Sequence, residues 1–241
     1  MLKHFTLDGK KIPFRDGQTI MDAAMEAGEY IPHLCHNPEF KPHGSCRLCT
    51  VKANGRMTAA CTSPALDGAT VENDTEELQR DRRTLLQLLF IEGNHVCPGC
   101  EKSGNCQLQA VAYYCGMLAP EFTHFYPLRK LDASHPDFVL DLNRCILCEL
   151  CVRASRDADG KGVFAISGRG LGAYLIVNSP SGELGDSAFD KRDRAARVCP
   201  VGAILPKHQG YEVPIGRRLY DRKPISMVGD VSDHRHEGGA K

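Results

Sequence analysis

Residues 2–14, LKHFTLDGKKIPF, alternate apolar and polar positions on both sides of Asp8-Gly9, a dipeptide that favours the tight turn of a hairpin. Asp16-Gly17 marks the next turn. Thr19 then stands where it caps a short helix, IMDAAMEAG, which Gly28 ends. Pro32 opens a loop, and residues 50–60, TVKANGRMTAA, read as a second hairpin about Asn54-Gly55.

The period changes at Thr75. In TEELQRDRRTLLQLLFIEG, Leu78, Leu85, Leu86, Leu89 and Phe90 recur at helical spacing, and Gly93 stops the run. A second helix, CQLQAVAYYCGM, follows Gly104 and ends at Gly116. Pro120, Pro127 and Pro136 make residues 117–136 a connector. Asp137 to Leu142 predicts a short strand, and Val163 to Val177 predicts two strands joined by a turn at Gly168, Gly170 and Gly172. The charged run Asp190-Lys191-Arg192-Asp193-Arg194 reads as a solvated helix face. Residues 206–241 turn polar and rich in His and Arg, which predicts an extended tail ending in disorder, or a segment ordered only against a partner.

Cysteine content changes this picture most: twelve in 241 residues, falling in CxxC-type runs rather than at the scattered spacings of a disulfide scaffold. The start, MLKHFTLDGKKIPF, lacks the basic and apolar regions of a signal peptide, and no twin-Arg signal is present. No run approaches the ~18 apolar residues of a membrane span. A cytoplasmic chain is expected, where thiols stay reduced and bind metal. Thirty basic and thirty acidic residues balance, so no net field draws the chain to nucleic acid or membrane. Aromatics at 7% and the absence of Trp point to several small cores.

The cysteines form three sets. Cys35, Cys46, Cys49 and Cys61 have the spacing C-x10-C-x2-C-x11-C, and the GSCRLC loop offers backbone N–H groups to cluster sulfurs. Four thiolates suit a [2Fe–2S] cluster, a cubane or zinc; zinc sites usually pair two CxxC knuckles, and here one is present. A hairpin, a helix and then a cysteine loop match the β-grasp plan of plant-type ferredoxins, with a longer first gap. His33, His36 and His43 in this loop read as packing or surface residues. The second set, Cys97, Cys100 and Cys106, lacks a fourth ligand for a [4Fe–4S] cubane; His95 and Cys115 are the candidates. In the third, Cys145-x2-Cys148-x2-Cys151 opens a bacterial ferredoxin motif and Cys199-Pro200 ends a second copy. The remaining ligand positions of a partner cluster hold Ser155, Phe189, Arg192 and Ala195, so one [4Fe–4S] cubane is retained, on Cys145, Cys148, Cys151 and Cys199.

The expected fold is α+β: a β-grasp [2Fe–2S] ferredoxin-like domain over 1–74, a small helical cubane-binding segment over 75–120, a bacterial-ferredoxin-like domain over 121–205, and the tail 206–241. Gly168-Arg169-Gly170-Leu171-Gly172 lies between strands rather than before a helix, so it reads as a turn and not as a nucleotide loop. No Ser/His/Asp set, Walker loop or Rossmann fingerprint appears, and no flavin, NAD or nickel site. Three clusters without a substrate site make an electron relay; the rival of another class is a zinc-stabilised interaction module.

PHLCHNPEF and GSCRLCTV, followed by HVCPGCEKSGNCQLQ, resemble the N-terminal part of the large iron–sulfur subunit of respiratory complex I and the N-terminal region of [FeFe] hydrogenases. Those families use one His and three Cys for the central cubane, which implies His95 as the fourth ligand, with Cys115 as the alternative. Their His stands with three residues between it and the first Cys; here Val96 alone intervenes and the matching position is Gly93. Both of those proteins continue far beyond residue 241. Over about its whole length, including CEKSGNCQLQ and GRGLGAYLIVN, the chain resembles the diaphorase-side iron–sulfur subunit of soluble, bidirectional NAD-reducing [NiFe] hydrogenases. That resemblance implies an oxidoreductase subunit without a catalytic site of its own. It implies a flavin-bearing NAD(H) subunit, with FMN, on one side. On the other it implies a hydrogenase small subunit and the large subunit with the NiFe centre. A component of an NAD-dependent formate dehydrogenase, a hydrogen-evolving [FeFe] complex or another complex I-like assembly is the alternative within the relay class.

Overall fold

The computed structural model describes residues 3–211 and 213–230. β1 (Lys3–Leu7) and β2 (Lys10–Phe14) pair antiparallel, with Asp8 and Gly9 both at positive φ in the turn. Alternation buries Phe5, Leu7, Ile12 and Phe14 on one face. Thr19 caps α1 (Ile20–Glu26) through a reciprocal box: its hydroxyl accepts from the Asp22 N–H, and the Asp22 carboxylate accepts from the Thr19 N–H. β3 (Thr50–Ala53) and β4 (Arg56–Ala59) form the second hairpin about Asn54 and Gly55.

A fifth strand, β5 (Thr70–Glu72), is too short to announce itself in sequence, yet it is the centre of the sheet. The order is β2-β1-β5-β3-β4, with β1 and β5 parallel and the other pairs antiparallel. One core joins the inner face of this sheet to Met21, Ala23 and Ala24 of α1.

α2 (Glu76–Ile91) starts at Thr75, whose hydroxyl accepts from the Leu78 N–H. Leu78, Leu86 and Phe90 are buried as the period predicts, but so are two polar residues, Arg82 and Gln87. Arg82 donates to the carbonyls of Leu48, Thr50 and Asn73 and to Asn73 Oδ1, which locks α2 to the first domain. Gln87 Oε1 accepts from the N–H groups of Glu121 and Phe122 and pins the connector. α3 (Gln107–Tyr114) ends at Gly116, which takes a positive φ.

The last part contains β6 (Leu131–Asp132), β7 (Phe138–Asp141), α4 (Leu150–Arg153), β8 (Phe164–Ser167), β9 (Tyr174–Val177) and β10 (Ile204–Pro206). α4 widens into a π-turn over Ala154–Ala158. β10, β7 and β6 form one antiparallel sheet, and β8 and β9 a hairpin. Three of the four replaced ligand positions serve the core. Phe189 packs against His135, Phe138 and Phe164 at ring separations of 5.3, 5.4 and 5.7 Å. Ala195 is buried, and the buried Ser155 hydroxyl accepts from the Val163 N–H at 2.7 Å. Arg192 is at the surface, on Asp190.

Two expectations are corrected. The run 190–194 is not a helix face. The Asp190 and Asp193 carboxylates accept from the backbone N–H groups of Arg192 and Asp190, a local alternative to helical bonding, and a single 3₁₀ turn, Arg194–Ala196, follows. Nor do the described residues of 206–230 form an extended tail. Leu219 N–H donates to Asn105 Oδ1, Tyr220 N–H donates to the Gly104 carbonyl, and α5 (Ile225–Val228) buries Ile225 completely. The segment is fastened by a few non-local anchors spaced among charged residues, a pattern that leaves no periodic signal. The expected disorder at 231–241 lies outside the described residues.

Candidate metal centres

The first set is assembled by the β3–β4 hairpin and the loops on either side of it. Cys49 precedes β3 and Cys61 follows β4, so the pairing Thr50↔Ala59 brings their sulfurs to 3.4 Å. Cys35 and Cys46 meet as a second hydrogen-bonded pair. The Cys46 thiol holds Cys35 down to about 5, with Ser45 helping, and the Cys61 thiol holds Cys49 at about 7. Each pair thus favours thiolate on one member, the form that binds metal.

The central set surrounds a small opening lined by His95, Cys97, Cys100 and Cys106 together with Phe90, Leu108, Arg144 and Val201. His95 Nε2 is buried and has no hydrogen-bond partner. Burial lowers its pKa to about 4, so the ring is neutral, and a backbone hydrogen bond at Leu89 engages the ring without using Nε2. A neutral imidazole with its other nitrogen held by a carbonyl is the usual form of a metal-ligating histidine. A Cβ on Gly93 would lie 2.5 Å from His95 Nε2. The imidazole occupies the space that a side chain at 93 would need. Cys115 does not border this opening: it is buried at the end of α3, where burial pushes its thiol up to about 11.

The third set surrounds a small opening lined by Cys145, Cys148, Cys151 and Cys199 among Ile146, Leu147, Ile166, Leu175, Val201 and Ile204. Burial pushes Cys145 up to about 11 and raises Cys148 and Cys151 as well, so a cation must offset the cost of their thiolates. Val201 lines both this opening and the central one.

Three features of these centres carry no signal in the sequence pattern. Arg47, Leu147 and Glu149, each inside a CxxC run, adopt left-handed backbone with φ of 58°, 52° and 58°. Such strain, roughly 1–3 kcal/mol per residue, collects at functional sites, and the alternation of hand turns successive N–H groups toward an anionic guest. No glycine marks these positions. Second, Gln107, the residue after Cys106, ties the three loops together: its N–H donates to the Pro200 carbonyl at 2.9 Å, and its side chain donates to the His33 carbonyl at 3.1 Å and Asp230 at 2.9 Å. Third, His33 is not a plain packing residue; its Nε2 meets Asp230 Oδ2 at 2.5 Å, both buried.

Among the described residues no three His, Cys, Asp or Glu side chains converge closely enough to grip one ion. Tetrahedral zinc, with Zn–S of about 2.3 Å, needs that convergence. A multi-iron cluster is held at its outer corners, and the central and third sets each place four candidate ligands around one opening.

Known proteins share this layout. Residues 3–76 match a 2Fe-2S iron-sulfur cluster binding domain, residues 82–120 the NADH-ubiquinone oxidoreductase-G iron-sulfur binding region, and residues 138–205 a 4Fe-4S single cluster domain. The chain is 43% identical to the gamma subunit of the NAD-reducing hydrogenase HoxS of Cupriavidus necator, over 91% of this chain and 94% of that one. It is 31% identical to the mitochondrial NADH-ubiquinone oxidoreductase 78 kDa subunit of Candida albicans, over 84% of this chain and 28% of that longer one. Among solved structures, NAD+-reducing [NiFe]-hydrogenase in the H2-reduced state contains a chain 56% identical, with a TM-score of 0.92, covering 96% of this chain and 98% of its counterpart. Among the described residues no helix is long and apolar enough to cross a membrane. The chain belongs to the family of gamma subunits of NAD-reducing hydrogenases, iron–sulfur electron-transfer components of an oxidoreductase complex.

Proposed function

We propose that this chain is the electron relay between a hydrogenase module and a flavin NAD(H) module. Cys35, Cys46, Cys49 and Cys61 hold a [2Fe–2S] cluster on a β-grasp domain, residues 1–74. His95, Cys97, Cys100 and Cys106 hold a [4Fe–4S] cluster in the helical segment 75–120. Cys145, Cys148, Cys151 and Cys199 hold a second one in the ferredoxin-like domain 121–205. The observation that carries this reading is the pair of openings, each ringed by four candidate ligands and sharing Val201 as a wall. Such clusters supply one-electron transfer with little rearrangement. The chain's own contribution is to exclude water with Phe90, Leu108, Ile166 and Leu175, to keep His95 neutral, and to aim backbone N–H groups from the CxxC turns.

The partners in this reading are a diaphorase subunit carrying FMN and a hydrogenase small subunit with its NiFe-bearing large subunit, in the cytoplasm. Replacing Cys148 by Ser in the assembled complex tests it. H2-dependent NAD+ reduction is expected to stop, while NADH oxidation by an artificial acceptor at the flavin subunit continues. Loss of both activities contradicts the relay and indicates a structural role.

A further inference from the structure

Arg153 lies in α4, two residues after Cys151, and is 4% exposed. Its guanidinium bridges two of the proposed cluster sites. Nη2 donates to the Cys35 carbonyl at 2.5 Å and to the Cys148 carbonyl at 3.3 Å; Nη1 donates to the Lys41 carbonyl at 3.1 Å, and Nε to the Glu149 carbonyl at 3.3 Å. All four partners are neutral carbonyls. Neither acid nearest in sequence hydrogen-bonds to it: Glu149 faces His43 Nε2 at 3.1 Å, and Asp157, which feels the Arg153 charge across solvent, pairs with Arg156 at 2.6 Å. Arginine stays charged in a protein, and a buried charge without a counter-charge is costly.

We infer that Arg153 is a positioning residue shared by the first and third centres, and that its counter-charge is the pair of thiolate-held clusters bound through Cys35 and Cys148. This rests on the cluster assignment above. Reduction adds one negative charge to a cluster, and a fixed cation in low dielectric favours the reduced form. Arg153 therefore raises the reduction potentials of both centres together, and ties their ligand loops at a fixed separation. Arg153 bonds no ligand carbonyl of the central centre, so its effect there is the smaller one.

The test is a potentiometric titration followed by EPR on the purified hetero-oligomeric complex, comparing wild type with R153Q and R153K. In R153Q the [2Fe–2S] signal and one cubane signal are expected to move to lower potential together. The reduced-to-oxidised ratio at fixed potential should fall at least tenfold, about 59 mV for one electron, with the other cubane moving much less. R153K, which keeps the charge and loses the fork, is expected to stay near wild type. Unchanged potentials in R153Q, a shift in one centre alone, or equal shifts in all three overturn the inference. Where R153Q loses its clusters, R153K decides: near-wild-type potentials support the shared charge, and displaced ones overturn it. If wild type itself lacks the three signals, the cluster assignment has failed instead.

Discussion

His95 lies across the backbone of Gly93: a Cβ on that glycine would stand 2.5 Å from Nε2 and 2.8 Å from Cδ2 of the imidazole. The Asn143 carbonyl closes the other side at 2.8 Å. Gly93→Ala is therefore expected to push the ring out of the central opening. Iron analysis and EPR should show that cluster lost or altered in both Gly93→Ala and His95→Ala, with the other two centres intact. A full, unaltered set of signals in both variants would exclude His95 as the ligand.

Cys115 gives the complementary prediction. With its thiol raised to about 11 by burial, it is protonated at neutral pH and packs as a small apolar residue. Cys115→Ala should keep the full iron content and cost about 1–2 kcal/mol of stability, read as a small drop in the urea midpoint of visible-absorbance loss. Loss of one cubane would reverse the assignment.

Arg82 holds the first centre from behind. It is 1% exposed and donates to Leu48 and Thr50, the neighbours of Cys49. Arg82→Met leaves these carbonyls and Asn73 without a donor, at roughly 1–3 kcal/mol each. The [2Fe–2S] signal should bleach at lower urea than in wild type, before the cubane absorbance. Bleaching of all three centres together at the wild-type midpoint would count against this role.

Asp230 fastens the C-terminal segment by accepting from Gln107 and meeting His33. Asp230→Ala removes charge-assisted bonds worth about 1.5–3 kcal/mol. Limited proteolysis should then cut within residues 207–224 several-fold faster, with a smaller effect for Asp230→Asn. Equal cleavage rates in all three forms would show that Ile225 and Tyr220 hold the segment without it.

Much of this was legible because it is local. Asp8-Gly9 and Asn54-Gly55 specify their turns, and Thr19 specifies a cap. What stayed hidden depends on residues distant in sequence. β5 is three residues long and is a strand because β1 and β3 flank it. Arg82 and Arg153 carry no mark of burial in the sequence, and are buried because carbonyls from other loops receive them. His95 reaches the opening through the absence of a side chain two residues earlier, which no ligand spacing records. The strap at 216–230 is held by single anchors, Leu219, Tyr220, Ile225 and Asp230, with no repeating period.

The central claim is that three ligand sets hold three iron–sulfur clusters. Anaerobic iron, sulfide and zinc analysis, with EPR of the reduced chain co-purified with its partners, tests it most directly. About ten irons per chain, with matching sulfide, one [2Fe–2S] signal and two cubane signals, is the result predicted. Zinc in place of iron, with no signal on reduction, would contradict the relay and leave a structural module.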